Sequence, residues 1–445
     1  MRIILCGDLL FSSRNLLQRL EQPIVNILTS ADAVCANAEF STPNPLTPPG
    51  LCMYLTSVKP KTLEELAELN IKLVSFANNH TADYGWQGAL ETMEAAEACG
   101  LIPCGIGRNL EQARKARFLD TPKGRVGMVA ACSTWSERAL ASMPGADTAA
   151  RPGLSPLRWS VSYVLPDLEF ESLKHIDEIL GTRESMREVS RVETWKPLGE
   201  NQFKFGSAMQ GNLLIERGER PEVRTWVHAS DQEALLKSIR DAARRSDVTI
   251  ATLHTHEGIN ENWYAAQPPA FVEEFARKAI DAGAAVFVGQ GAHFSRGVEI
   301  YKGRPIFYNL GSLIMEFEAG ESMISPEMYH TYGLASDARP SDLHCGRAKD
   351  ENGNWSGFYS ERRFSKNFFV IMDLEDGHAE YRIVPIDLDM HNENNLKRGL
   401  PVIADEAVAQ EFVQDLTRSS EKYGTRFSYD AEEGCIKFFG CPSEK

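Results

Sequence analysis

The sequence predicts an α/β protein whose strands deliver polar side chains to one edge. Two observations carry that expectation. Short apolar, strand-like runs alternate with amphipathic helical stretches through the first 135 residues and again from residue 231, the pattern of β-α-β units. Five of those runs finish in side chains of ligand quality, at Asp8, Glu39, Asn79-His80, His254-Thr255-His256-Glu257 and His293. In open α/β sheets the strand C-termini lie along one edge, and ligands bind there.

Bulk composition limits the alternatives. Of 445 residues 43% are hydrophobic, with 33 glycines and 22 prolines dispersed along the chain. That is ordinary globular composition, and at roughly 150 residues per domain it amounts to two or three domains' worth of polypeptide. Lys and Arg number 47 against 62 Asp and Glu, a net charge of −15. No basic patch relieves it, so neither nucleic acid nor an anionic membrane is an expected partner. The opening MRIILCGDLL is too short for a secretion signal or for the roughly 20 apolar residues of a membrane span. Nine cysteines without CxxC spacing read as reduced thiols. The expectation is a soluble, cytoplasmic protein of open oligomeric state.

The elements follow in order. Arg2–Cys6 reads as a buried strand delivering Asp8, and Ser13–Leu28 as a helix through Leu16, Leu17, Leu20, Ile24, Ile27 and Leu28. Ala33–Ala36 runs into Asn37-Ala38-Glu39. A helix over Thr62–Leu69 precedes strand Leu73–Ala77, which runs into Asn78-Asn79-His80; helix Gly85–Cys99 and strand Val126–Cys132 complete the first block. Residues 136–230, with Arg151-Pro152-Gly153 and a helical stretch over Asp167–Leu180, break the alternation and read as an insertion or subdomain. The main domain, 1–135 and 231–400, resumes with helix Asp231–Arg245, strand Val248–Leu253, helix Pro269–Ala282, strand Ala285–Val288 and a glycine-turn hairpin over Val298–Asn309. Residues 312–365 lack periodicity and read as a lid or substrate loop. Phe368–Leu374 and Glu380–Ile386 read as closing strands. Residues 401–445 read as a C-terminal helix, Val402–Tyr423, and a strand packed on the core.

Carboxylate, amide oxygen and imidazole are the ligands of a divalent cation such as Mn, Fe or Zn. The pair His254-x-His256 places both rings on one side of an extended strand. A carboxylate between two ions and a histidine that protonates a leaving group would complete a hydrolytic centre.

The ordered set Gly7-Asp8, Asn37-Ala38-Glu39, Ala77-Asn78-Asn79-His80 and Asp83-Tyr84-Gly85, with Gly289–His293 and Gly297–Gly311 later, resembles the CapA family. This is the poly-γ-glutamate capsule-biosynthesis group, related to calcineurin-like metallophosphatases. The resemblance covers residues 1–135 and 231–312. It implies a four-layer α/β/β/α sandwich of the metallophosphatase type, here with a mid-chain insertion and a long lid-like loop. It also implies a cage of Asp8, Glu39, Asn79, His254, His256 and His293 for one or two divalent ions, with His80 as the acid/base residue. The activity it implies is amide or peptide chemistry on a glutamyl-type substrate, and metal-assisted hydrolysis is the expected reaction.

Three positions depart from the family pattern. Leu10 stands where Asp-x-His would place a histidine, Gln290 where Gly-His-x-Pro-His would, and Ser312 where Leu-Gly-Asn would end. Lost imidazoles weaken a transition-metal site, so one ion or none is also consistent with the chain. A metal-independent peptide epimerase is then the alternative. Asp8 or His293 would remove a Cα proton and His80 or His254 return one to the opposite face, with Asn79 or a backbone nest steadying the enolate. A third reading is a non-catalytic peptide- or polymer-binding module, its groove lined by Trp86, Trp135, Trp263, Tyr264 and Tyr308. Asn37, Asn78, Glu257, Gln290 and Arg296 are the expected substrate-binding residues. Arg296, three residues beyond His293, is preferred over Arg14, Arg151, Arg158 and Arg304 as an anchor for acidic groups.

Overall fold

The computed structural model describes residues 1–50 and 54–440. Six strands carry the site: β1 (Arg2–Leu10), β2 (Ala33–Ala38), β3 (Ile71–Ser75), β4 (Gly124–Cys132), β5 (Val248–His254) and β6 (Val286–Gln290). Strands β1, β2 and β3 run parallel in a ten-stranded sheet, and β4, β5 and β6 run parallel in a six-stranded one. Their near-continuous Val, Ile, Leu and Ala runs suit strands covered on both faces.

Side-chain alternation along each strand builds the layers. Ile3 and Leu5 of β1 face Val126, Met128, Val248, Ile250, Val286 and Val288 in the core between the sheets. Ile4 and Cys6 point the other way, onto Leu16, Ile24, Leu28, Leu66 and Met93 of the outer helices. On the opposite side Val129, Ala251 and Phe287 pack against Leu235 and Ile239 of helix Ala229–Ala243 and Phe271 and Phe275 of helix Ala270–Asp281. The result is the expected four-layer α/β/β/α sandwich. Strand β1 is central, hydrogen-bonded to β2, to Ser312–Met315 and to Lys366–Glu375.

Several boundaries differ from expectation. The helix over Ser13–Leu28 is two helices, Leu16–Arg19 and Gln22–Ser30, because the chain turns extended at Leu20 and Glu21 and Pro23 starts the second. The helix over Val402–Tyr423 begins only at Glu406, where the Asp405 side chain accepts a hydrogen bond from Val408 N–H and caps it. Residues 312–365 are more structured than a loop, with strand Ser312–Met315 and helices Pro326–Thr331 and Pro340–Ala348. The expected hairpin is present, and Lys302 and Gly303 both hold the positive φ that a two-residue turn needs.

The stretch 136–230 divides in two. Ala139, Leu140 and Leu154 sit in the core between the sheets, and Gly153–Leu154 pairs with Ile106–Gly107. Residues 159–227 instead form a separate four-stranded sheet with helices Asp167–Ile179 and Thr182–Val192. Where that unit meets the sandwich, the buried Asp231 carboxylate accepts hydrogen bonds from Arg158 at 2.7 and 2.8 Å and pairs with Arg114. Burial alone would raise its pKa, but the Arg158 hydrogen bonds and both guanidinium charges outweigh burial and hold it below the ordinary aspartate value.

Asp231→Asn removes the carboxylate that two partly exposed guanidinium groups share and should cost about 1.5–3 kcal/mol of unfolding free energy in urea titration. The depressed folded pKa also sets a pH dependence. The Asp231 contribution is complete above the unfolded aspartate pKa and is lost as pH falls through the folded one, so the acid side of the stability curve should flatten in the variant.

Candidate metal centre

Each ligand-grade side chain is delivered by a strand end. The β1–β2 register sets Asp8 opposite Asn37, after an irregularity in pairing between Leu5 and Asp8 that redirects the chain. Glu39 follows β2 and is fixed by its own N–H, which donates to the Leu9 carbonyl at 3.1 Å. His254 ends β5, and His293 lies three residues beyond β6. His293 holds φ 62°, a left-handed conformation costly for a non-glycine residue and concentrated at functional sites. Two residues earlier Gly291 holds φ 108°, a conformation that favours glycine, and a Cβ there would press on the His254 ring at 3.1 Å.

The side chains converge on Glu39. Its Oε1 lies 3.6 Å from His256 Nε2, 3.6 Å from His293 Nε2, 3.7 Å from His254 Nε2 and 4.0 Å from His80 Nε2. Asp8 stands behind, 3.7 Å from His254 Nδ1 and 3.6 Å from His293 Nδ1. Ligand atoms of Asp8, Glu39 and His254 lie within 4.8 Å of one another, as do those of Glu39, His256 and His293, so two triads share one carboxylate. These separations are too long for hydrogen bonds. Both Glu39 oxygens and His256 Nε2 are buried without any hydrogen-bond partner. A buried carboxylate left this way is costly, and a divalent cation held by Glu39 with His256 and His293, or with Asp8 and His254, would give it a partner. The donor set fits Mn, Fe or Zn.

The electrostatics point the same way. Burial, followed by the charges of Asp8 and Asp83, pushes the Glu39 pKa well above the usual glutamate value. Burial would raise Asp8 too, but the facing His254 and His293 rings outweigh it and hold Asp8 far below the carboxylate range. Burial lowers His254, and lowers His256 further with the neighbouring imidazoles opposing its protonation. His254 and His256 are therefore biased toward neutral rings, the form that ligates metal.

His80 sits at the open side, its side chain 13% exposed. Its Nδ1 lies 2.7 Å from Asp83 Oδ2, which turns Nε2 toward Glu39 and Thr56. Asp83 was missed as a functional residue, although a carboxylate three positions after His80 in a turn is a legible signal. Asn79 Oδ1 lies 2.8 Å from His254 Nε2 and so reaches the centre through that ring.

The five expected substrate-binding residues are placed otherwise. Asn37 donates to Asp8 Oδ1 at 2.8 Å, and Asn78 donates to the Ala38 carbonyl at 2.7 Å. Glu257 accepts from Ser133, Thr134 and Thr255. Gln290 accepts from Thr252 and donates to the Cys6 carbonyl, joining the two sheets. Arg296 is wholly buried and donates to the carbonyls of His256, Glu257 and Trp263. All five are buried and hydrogen-bonded within the protein beside the centre. The acid anchor is corrected for the same reason, since a guanidinium engaged by three internal carbonyls has no reach to solvent. Arg14, Arg158 and Arg304 likewise have internal partners. Of the aromatic residues, Tyr308 is buried against Tyr423, while Trp86, Trp263 and Tyr264 are exposed. Leu10 is buried in β1, and Ser312 Oγ lies 3.4 Å from His293 Nδ1.

With this geometry in place, likeness to known proteins is decisive on family. The model of the bacterial capsule synthesis protein PGA_cap family matches residues 2–316. The chain belongs to this family. The y4sH protein of Sinorhizobium fredii is 29% identical over 387 residues, 85% of this chain and 78% of its own. A probable polyglutamine synthesis accessory protein of Mycobacterium tuberculosis is 23% identical, covering 72% of this chain and 63% of its own. Among solved structures, a phosphatase of Mycoplasma pneumoniae aligns over 94% of this chain and 98% of its own at 13% identity and a TM-score of 0.37. Among the described residues of this PGA_cap protein, no helix is long and apolar enough to cross a membrane, and seven cysteines are free.

Glu39→Gln tests the centre directly. Elemental analysis should show less metal per chain than wild type, and metal titration an affinity lower by at least the roughly 10–100-fold that loss of an outer-shell partner costs. The metal-free variant should unfold at no lower temperature than metal-free wild type, because it loses an unpartnered buried acid.

Proposed function

We propose that the chain is a metal-dependent hydrolase of an amide or peptide bond, acting on a glutamyl-type substrate. The observation that carries this is the Glu39 carboxylate, buried without hydrogen bonds among four imidazole nitrogens at 3.6–4.0 Å. A divalent cation there would supply Lewis-acid polarisation of the carbonyl and lower the pKa of water at the site. The family supports the substrate class, since a Mycobacterium tuberculosis relative is named a probable polyglutamine synthesis accessory protein.

The chain's own residues divide the remaining work. Asp8, oriented by the Asn37 amide and the Gly291 N–H, remains ionised and faces His254 and His293. His80 protonates the departing amine: Asp83 fixes its Nδ1, so Nε2 is the nitrogen presented to substrate. The surrounding buried groups exclude bulk water and strengthen every charge interaction inside. A second reading, proton transfer at a peptide Cα, draws on the same histidines and on the engagement of Gln290 in a sheet-to-sheet bridge instead of the cage.

Metal-reconstituted protein should cleave an end-blocked glutamyl peptide, and chelation should abolish cleavage. His80→Ala should lower kcat by about 10²–10⁴ with metal content unchanged. Full turnover after chelation, with solvent deuterium entering a Cα and no bond broken, would replace hydrolysis with epimerisation.

A further inference from the structure

Trp263 is 46% exposed, yet its indole lies against the His256 ring with centroids 4.8 Å apart. His256 Nε2 is in turn 3.6 Å from Glu39 Oε1. One part of a large flat apolar surface thus rests on the metal centre while much of the rest faces water. Beyond His256, the His293 ring lies 5.3 Å away, and Phe358 meets His293 edge-on at 5.5 Å.

The strap carrying Trp263 is held by three separate devices. The buried Arg296 guanidinium donates to the carbonyls of His256 at 2.9 Å, Glu257 at 2.6 Å and Trp263 at 3.0 Å. Asn260 and Glu261 both adopt left-handed backbone, φ 57° and 58°, a conformation that persists only where surroundings enforce it. The Glu261 carboxylate accepts a hydrogen bond from the hydroxyl of Tyr163, which belongs to strand Trp159–Leu165 of the inserted sheet. A strained strap fastened at both ends, with an exposed indole at the site, is expensive unless that indole has a use.

We propose that Trp263 is a substrate-stacking residue, that the group it receives is a planar amide of a peptide chain next to the bond under attack, and that the inserted sheet sets its position through Tyr163. An exposed indole offers broad contact area at little conformational cost, and an amide plane is the flat group every peptide substrate carries. Tyr163, Glu261 and Arg296 are positioning residues. The inference rests on the proposed peptide substrate but not on the reaction performed.

The test is calorimetric titration of the metal-loaded full chain with end-blocked α- and γ-linked glutamyl hexapeptides. Trp263→Ala should weaken binding roughly five- to tenfold, Trp263→Phe should recover most of it, and Tyr163→Phe should weaken it by a smaller factor. All three should keep wild-type metal content, and under turnover KM should rise while kcat holds. Wild type that binds a peptide without cleaving it, with Trp263→Ala binding weakly, upholds the strap and removes hydrolysis. Wild type that binds neither peptide, a Trp263→Ala variant that binds as tightly as wild type, or one that loses metal together with binding, overturns the inference.

Discussion

The arrangement depends on one electrostatic constraint: the Glu39 carboxylate is buried, unbonded, and encircled by imidazoles. Two sheets must meet at the correct edge for this to occur, because Glu39 and Asp8 come from one sheet while His254, His256 and His293 come from the other. The core between the sheets is the clamp. Its Val, Ile and Leu side chains fix the distance between layers, and the Gln290 bridge to the Cys6 carbonyl ties β6 to β1 beside the site. Isolated, either sheet would carry only half a cage.

Much of this could be read from the chain. Strand type followed from apolar runs without polar alternation, and the convergence of Asp8, Glu39, His254 and His293 followed from their places at or just beyond strand ends, while His80 stands in the turn that follows Ile71–Ser75. The layer order came through the resemblance to a family. What periodicity could not supply was direction. Asn37, Asn78, Gln290 and Arg296 lie in or beside the motifs, and a motif does not distinguish a side chain facing the cavity from one facing the backbone that shapes it. All four point inward to carbonyls and carboxylates. Asp83 stands in the same turn as His80, and its part is visible in the 2.7 Å approach of its carboxylate to His80 Nδ1.

Element boundaries failed where capping and proline overrode periodicity. Leu16 to Leu28 keeps helical spacing across a break because spacing reports which face is buried, and both short helices bury the same face against β1 and its neighbours. The segment 312–365 failed for another reason. Its helices are short, their apolar contacts gather in a small cluster around Met328, Tyr329 and Leu343, and the half-buried Arg347 pairs with Glu318 and lies over the rings of Phe317 and Tyr332.

The central place of β1 bears on how the protein is made. Strand Lys366–Glu375, one of its hydrogen-bonding neighbours, lies more than 350 residues downstream, so β1 must wait for that much further chain before its sheet can close on that side. Long-range pairing of this kind is slow and leaves sticky edges bare in the interval. Vectorial synthesis therefore delivers Asp8 and Glu39 well before His254, His256 and His293, and the two halves of the cage meet only after more than 200 intervening residues have been made.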